Sequence, residues 1–237
     1  MDEAYEQIAR LIRSLDHPDK KTIRQAVDAL VALAPDAPEI CGEVAAAMAR
    51  APAEKRWPMA YVLAQIAPPS DACFDALECG LDAPDPDIRW AVVVLLVRVA
   101  ERHGDKTVER LVSLLKSGTA TQRRMAVYAL RDIATKDAPS QQAVRGALGD
   151  PEPLVRVAAL TSLKIFPKVA RDALAELLRM LESDPDARVR AADALALAHS
   201  GAPTEEIAPA LQRAAESGDD IVAKAARAGL EVLKRRS

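Results

Sequence analysis

Leucine recurs as Leu30, Leu63, Leu96, Leu130, Leu163, Leu197 and Leu230, always 33 or 34 residues after the last. Seven positions before each stand Ile23, Arg56, Arg89, Arg123, Arg156, Arg190 and Ala223, taken here as position zero of a repeat. Two further columns keep the same register. Ten positions after zero come Leu33, Ile66, Val99, Ile133, Phe166, Ser200 and Leu233; twelve before it come Leu11, Val44, Leu77, Leu111, Val144, Leu178 and Leu211. Self-similarity at such a period marks one supersecondary unit copied along the chain, which buries its apolar face only by stacking on its neighbours.

About 33 residues accommodate two helices of three to four turns and two short turns. In the fourth repeat the first helix reads KTVERLVSLLKS (106–117) and the second TQRRMAVYALRDIA (121–134), separated by Gly118-Thr119. Asp-Pro before the second helix of the third, fifth and sixth repeats offers an N-cap and a first-turn proline. Aromatic residues are only 3% of the chain, and alanine and leucine supply most of the apolar content. That mix suits close-packed helices rather than a β-sandwich. The expected organisation is one domain over 1–237, with repeats at approximately 3–34, 36–67, 69–103, 104–136, 138–168, 169–200 and 203–236.

The repeated phrase is seen in GDPEPLVRVAALTSLKIF (149–166) and SDPDARVRAADALALA (183–198): a turn with Asp and Pro, an Arg, then an alanine-rich helix. It resembles HEAT repeats, in particular the HEAT-like repeats first described in phycobilisome lyases, with their D-x-x-V-R-x-x-A-x-x-A-L core. The resemblance covers residues 3–236. It implies an all-α fold, a right-handed α-α superhelix (HEAT-like solenoid) of about seven helical pairs. It further implies that first helices form the convex side and second helices line the concave side.

At about 100° per residue, columns +3, +6, +7 and +10 share one side of the second helix and are apolar, so they are core. Columns +1, +5, +8 and +12 fall opposite and face outward. Column +1 holds Trp57, Trp90 and Arg124, and column +5 holds Tyr61, Val94 and Tyr128. Both tryptophans and two of the three tyrosines therefore lie on one outward face of three consecutive repeats. Either these rings fold back over a neighbouring helix as core, or they form an exposed patch extended by Val97 and edged by Arg98, Arg124 and Arg131. The stretch PDPDIRWAVVVLLVRVA (84–100) poses the question most sharply, being apolar on both sides.

The arginines of column zero resemble a phosphate track, yet Asp19, Asp85, Glu152, Asp186 and Asp219 stand four positions before zero. A ladder tied to the turn carboxylates of adjacent repeats is the structural alternative. Asp193 occupies core column +3, where the other copies carry Ala, Met or Val, and there it calls for a partner such as Arg156 or Arg190.

The net charge of −3 gives no global attraction to nucleic acid or anionic lipid. Its distribution is uneven: the second-helix segments carry 22 basic and 13 acidic residues, the remainder 10 and 22. The excess is largest in the fourth repeat, with Arg123, Arg124, Arg131 and Lys136 against Asp132. An acidic or amphipathic protein partner suits such a face. His17, His103 and His199 are isolated, and the paired His-Glu steps of iron-binding HEAT-repeat hydroxylases are missing. No zinc spacing, Gly-rich phosphate loop or G-x-S-x-G is present. Cofactors are therefore none, and no catalytic residue is assigned.

Cys41, Cys73 and Cys79 make an odd count without C-x-x-C and read as free, mostly buried thiols. The opening MDEAYEQ is acidic, unlike a secretory leader, and the longest apolar run is too short to span a bilayer. A cytoplasmic location with no membrane contact is expected. The functional expectation is a non-catalytic scaffold or adaptor, monomeric or weakly dimeric, that takes a peptide or helix through Trp57, Tyr61, Trp90, Val94, Val97, Arg98, Arg124, Tyr128 and Arg131. The alternatives are a nucleic-acid-binding protein similar to the HEAT-like DNA-alkylation-repair glycosylases, and a bilin-lyase-like subunit. The glycosylase alternative lacks the aspartate one turn from a groove tryptophan, since Tyr61 and Val94 stand there.

Overall fold

A computed structural model describes residues 2–133 and 138–236 of the chain. Ala134 and Lys136, placed above in the second helix of the fourth repeat, lie outside the described residues. All regular structure among the described residues is helical: α1 (Asp2–Ser14), α2 (Lys20–Leu33), α3 (Glu39–Arg50), α4 (Trp57–Ile66), α5 (Asp71–Gly80), α6 (Pro86–Ser117), α7 (Ala120–Ile133), α8 (Ala138–Gly146), α9 (Pro153–Leu163), α10 (Pro167–Asp172), α11 (Leu174–Ser183), α12 (Ala187–His199), α13 (Thr204–Ala215) and α14 (Asp220–Arg236). Two of them depart from the expected pairs. Helix α6 joins the second helix of the third repeat to the first of the fourth across a break at His103, whose φ of −137° and ψ of 41° are not helical. The first helix of the sixth repeat is split at Ala173 into α10 and α11. With α6 counted in both repeats and α10–α11 as one, the helices make seven pairs of the α-α superhelix class.

The pairs gather into two compact units, one through Arg110 and one from Leu111 onward. In the first, α1 packs on α2, α3 on α4 and α4 on α5. In the second, α7 packs on α8, α11 on α12 and α13 on α14. There the second helices form a continuous layer, α7 on α9, α9 on α12 and α12 on α14, packed more extensively than the first helices α11 and α13 are on each other.

The core columns are where the period places them. Leu30, Leu96, Leu130, Leu163 and Leu197 are buried, as are Val44, Leu77, Leu111, Val144 and Leu211 of the first helices. Buried Cys73 donates from Sγ to the Ala60 carbonyl at 3.3 Å, and burial pushes its thiol up to about 12. Of the three thiols expected to be mostly buried, Cys73 alone is inside; Cys41 is half-buried and Cys79 exposed. Among the described residues no helix is long and apolar enough to cross a membrane.

Each column-zero arginine ties its helix to the turn before it, and three of the five also reach the next loop. Through Nη1 or Nε it donates to a carbonyl of the turn preceding its own helix: Arg56 to Ala51, Arg89 to Ala83 and Pro84, Arg123 to Gly118, Arg156 to Asp150 and Pro151, and Arg190 to Asp184. The other edge of the fork reaches the next loop in three copies. Arg123 holds Asp150 by two bonds of 2.8 Å, Arg156 holds Asp184 at 2.9 and 2.8 Å, and Arg190 reaches Asp219 at 3.2 Å. The planar guanidinium can serve both loops at once, which a lysine cannot.

The register of this ladder corrects the sequence expectation. Of the carboxylates four before zero, only Asp219 takes an arginine from the preceding repeat. Asp150 and Asp184, six before zero, do so instead of Glu152 and Asp186. Their Asp-Pro pairs do not cap the helices directly. Each aspartate accepts the amide two residues on, Glu152 or Asp186, at 2.9 Å, and the helices begin at Pro153 and Ala187. This local turn fixes the carboxylate for the incoming arginine. Asp85 turns in the same way onto the Asp87 amide, but its partner is Lys20 of α2, whose ammonium the hydrogen bonds to Asp85 and Asp87 push up to about 12.

Candidate functional site

The outward side of the second helices carries the residues singled out from the sequence. Trp57, Tyr61, Trp90, Val94, Val97 and Arg98 lie in the first unit, and Arg124, Tyr128 and Arg131 in the second. Trp90 and Val94 stand one turn apart on α6 and are 43% and 46% exposed. Their neighbours Val92, Val93, Leu95 and Leu96 are buried. The two-sided apolar pattern of this helix therefore divides into a core side and a surface side. Val97 is half-buried, and Arg98, beyond it, is exposed.

Trp57 opens α4 and is half-buried rather than exposed. It nests against Gly80 at the end of α5. A Cβ added to Gly80 would fall 3.2 Å from Trp57 Cβ and 3.0 Å from Val92 Cγ2, so the missing side chain makes room for the indole. Tyr61, one turn along α4, is also half-buried. Burial raises its phenol above the ordinary value, opposed by the nearby Arg98 and Arg24 charges and reinforced by Asp28. The charges that act on this phenol come from Arg98 on α6 and from Arg24 and Asp28 on α2. In the first unit Trp90 and Val94 are thus exposed and Trp57, Tyr61 and Val97 half-buried.

In the second unit Arg131 holds Asp132 by bonds of 2.6 and 3.0 Å, and its guanidinium carbon lies 5.3 Å from the centre of the Tyr128 ring. Arg124 and Tyr128 are half-buried. The equivalent positions in the next repeat are Val157 and Thr161 on α9 and Lys164, its C-cap, all half-buried. Lys164 was not among the residues named from the sequence. Its signal was its place eight after zero, the position of Val97 and Arg131. Ala191, expected outward in column +1, is buried.

Asp193 does not form the salt bridge its position called for. It has no exposed surface, and neither carboxylate oxygen is hydrogen-bonded. Both candidate arginines are committed elsewhere, Arg156 to Asp184 and Arg190 to the Asp184 carbonyl and Asp219. Burial drives its carboxyl well above the ordinary value, and the negative charges of Asp184 and Glu176 add to the rise. The Leu181 amide favours the anion without reaching hydrogen-bond geometry. Asp193 is therefore enclosed in the core in surroundings that disfavour its anionic form. Among the described residues no group of three or more His, Cys, Asp or Glu could hold a metal ion.

Comparison with known proteins agrees with this architecture. No curated protein matches the sequence significantly. Among solved structures, a Kap121p mutant superposes with a TM-score of 0.62 at 17% identity, over 95% of this chain and 29% of that one. Kap121p bound to Nup53p gives 0.58 at 15% identity, over 98% and 26%. The chain thus spans between a quarter and a third of Kap121p. Human deoxyhypusine hydroxylase in complex with glycerol aligns over 97% and 96% at 17% identity, with a TM-score of only 0.46. The profile of HEAT repeats matches residues 108–198 and 141–231, together just over half of the sequence. With the arginine-stapled helix pairs and this match, the chain belongs to the HEAT-repeat family.

Proposed function

We propose that the chain is a non-catalytic interaction module that takes a helix or extended peptide of another protein on the outward face of its second helices. The observation that carries this reading is the pair Trp90 and Val94, nearly half exposed on a helix whose opposite side is fully buried. Large apolar side chains presented together, with Trp57, Tyr61 and Val97 beside them, mark a surface that gains from being covered. Tryptophan, tyrosine and arginine are the residue types that dominate binding hot spots. Arg24 and Arg98 at the edges favour an amphipathic partner whose apolar stripe is flanked by carboxylates. Kap121p, similar in fold, has been crystallised bound to Nup53p.

The test is selection of displayed helical peptides against the full chain, followed by titration of the winners against a Trp57→Ala/Trp90→Ala variant. Selected peptides should carry an apolar stripe with acidic flanks and bind the variant at least about tenfold more weakly, a loss of about 1.4 kcal/mol. Peptides that bind wild type and variant alike would remove the aromatic face from the interaction. Concentration-dependent self-association lost in the variant would assign the face to a second copy of the chain.

A further inference from the structure

We propose that the outward face of α7 and α9 is a binding site for an acidic peptide segment, whose carboxylates are met by Arg124, Arg131 and Lys164. This rests on the reading of the chain as a protein-binding module and states what its second unit selects. The arginines of column zero are not available for such a role. Arg123, Arg156 and Arg190 are each committed to a turn carbonyl and to a carboxylate.

The cations that remain on this face are differently placed. Among the described residues neither Arg124 nor Lys164 has a carboxylate partner. Arg131 uses one edge on Asp132 and lies over the Tyr128 ring. Because α7 packs on α9 and both Arg131 and Lys164 stand eight after zero, the two occupy matching places, Arg131 in the last turn of α7 and Lys164 at the C-cap of α9. Arg124 adjoins Val157 in the same way one position after zero. Three cations therefore frame a floor of Tyr128, Val157 and Thr161. Asp132, already clamped, is the acid beside them.

Lys164 adds an independent sign. It is half-buried, and burial alone acts on it, lowering its ammonium with no neighbouring carboxylate to offset the cost. A partner carboxylate would relieve that cost, and charge-assisted bonds to Arg124 and Arg131 would fix its register. A nucleic-acid duplex fits less well, because affinity for it grows with the number of phosphates neutralised along a track, and here three cations surround an aromatic and apolar floor.

The experiment is fluorescence anisotropy of a fluorescein-labelled peptide of alternating Glu and Leu with the full chain, against the same peptide with Gln for Glu. Saturable binding of the Glu peptide is expected, with the Gln peptide at least about tenfold weaker. Arg124→Gln/Lys164→Met should lose about tenfold or more while keeping its helical circular dichroism, since both side chains point outward. Trp57→Ala/Trp90→Ala reports on the aromatic face separately: binding lost there and kept in Arg124→Gln/Lys164→Met would place the peptide on the first unit and overturn the proposal. The proposal is also overturned if Glu and Gln peptides bind alike, if Arg124→Gln/Lys164→Met binds as wild type does, or if a duplex oligonucleotide displaces the Glu peptide at lower concentration.

Discussion

Arg156 grips Asp184 of the following loop through two near-parallel hydrogen bonds of 2.9 and 2.8 Å, and the two side chains are only 11% and 7% exposed. The same guanidinium holds the Asp150 and Pro151 carbonyls, so one residue fastens its helix to the loop before it and to the next loop. Removing it leaves a buried carboxylate and open carbonyls. Arg156→Met should lower stability by about 3–5 kcal/mol, the cost of breaking a buried pair from one side. Arg156→Met/Asp184→Asn should recover part of that loss, because the stranded charge is gone. Chemical denaturation of the four members of this cycle measures both. A single variant as stable as wild type would mean the ladder contributes only geometry.

Asp193 has the opposite character, a buried acid that no neighbour satisfies. Four of the other copies hold Ala26, Ala126, Ala159 and Ala226 at this place, and the remaining two hold Met59 and Val92. Asp193→Ala should therefore stabilise the protein, by about 1–3 kcal/mol as for relief of an unsatisfied buried group. The pH dependence has a definite sign. The folded-state carboxyl is raised, so unfolding releases its proton above the ordinary value of 3.8. Its contribution is complete below that value and is lost as pH rises toward the folded-state value. Asp150 and Asp186 work the other way, being lowered, and their contribution is lost as pH falls. The difference in melting temperature between Asp193→Ala and wild type should accordingly widen from pH 4 upward; a constant difference would show that the side chain is not a titrating acid.

These two residues show where sequence reasoning succeeds and where it stops. The leucine columns were legible because each copy repeats the same burial against its neighbours, so the period alone separates core from surface. The ladder was legible as a ladder but not in register. The aspartate that fixes a loop by accepting its own amide is selected by turn geometry, which spacing from the helix does not report. Asp193 was legible as an oddity, while the arginines that could have paired with it were already claimed by Asp184 and Asp219. Trp57 and Trp90 share a column and looked alike. They differ because Gly80, on another helix, leaves a recess for one and not for the other.

The core assignment is tested by a pair of truncations in the second unit. Leu130 is fully buried and Val157 half-buried. Leu130→Ala should cost about 2–5 kcal/mol, as large-to-small changes in packed cores do. Val157→Ala should cost well under half of that, since much of its surface is wet in the folded state. Equal midpoint shifts in urea would mean the outward column is misplaced.

The exposed aromatic face is tested without any partner by separating its two indoles. Trp57→Phe leaves Trp90 as the sole tryptophan, and Trp90→Phe leaves Trp57. Acrylamide and iodide should quench the first protein efficiently, because Trp90 is 43% exposed. Quenching of the second should be several-fold weaker, because Trp57 lies half-buried over Gly80. Iodide should favour Trp90 further, since Arg98 stands two turns along the same helix and concentrates anions nearby. Gly80→Ala supplies the internal check. The added methyl has 3.2 Å to Trp57 Cβ and 3.0 Å to Val92 Cγ2, so the indole must move outward or Val92 must give way. In the Trp90→Phe background this change should raise the quenching of Trp57. Equal quenching of both indoles in the parent single-tryptophan proteins would show that the recess does not exist and that Trp57 belongs with Trp90 on the open surface.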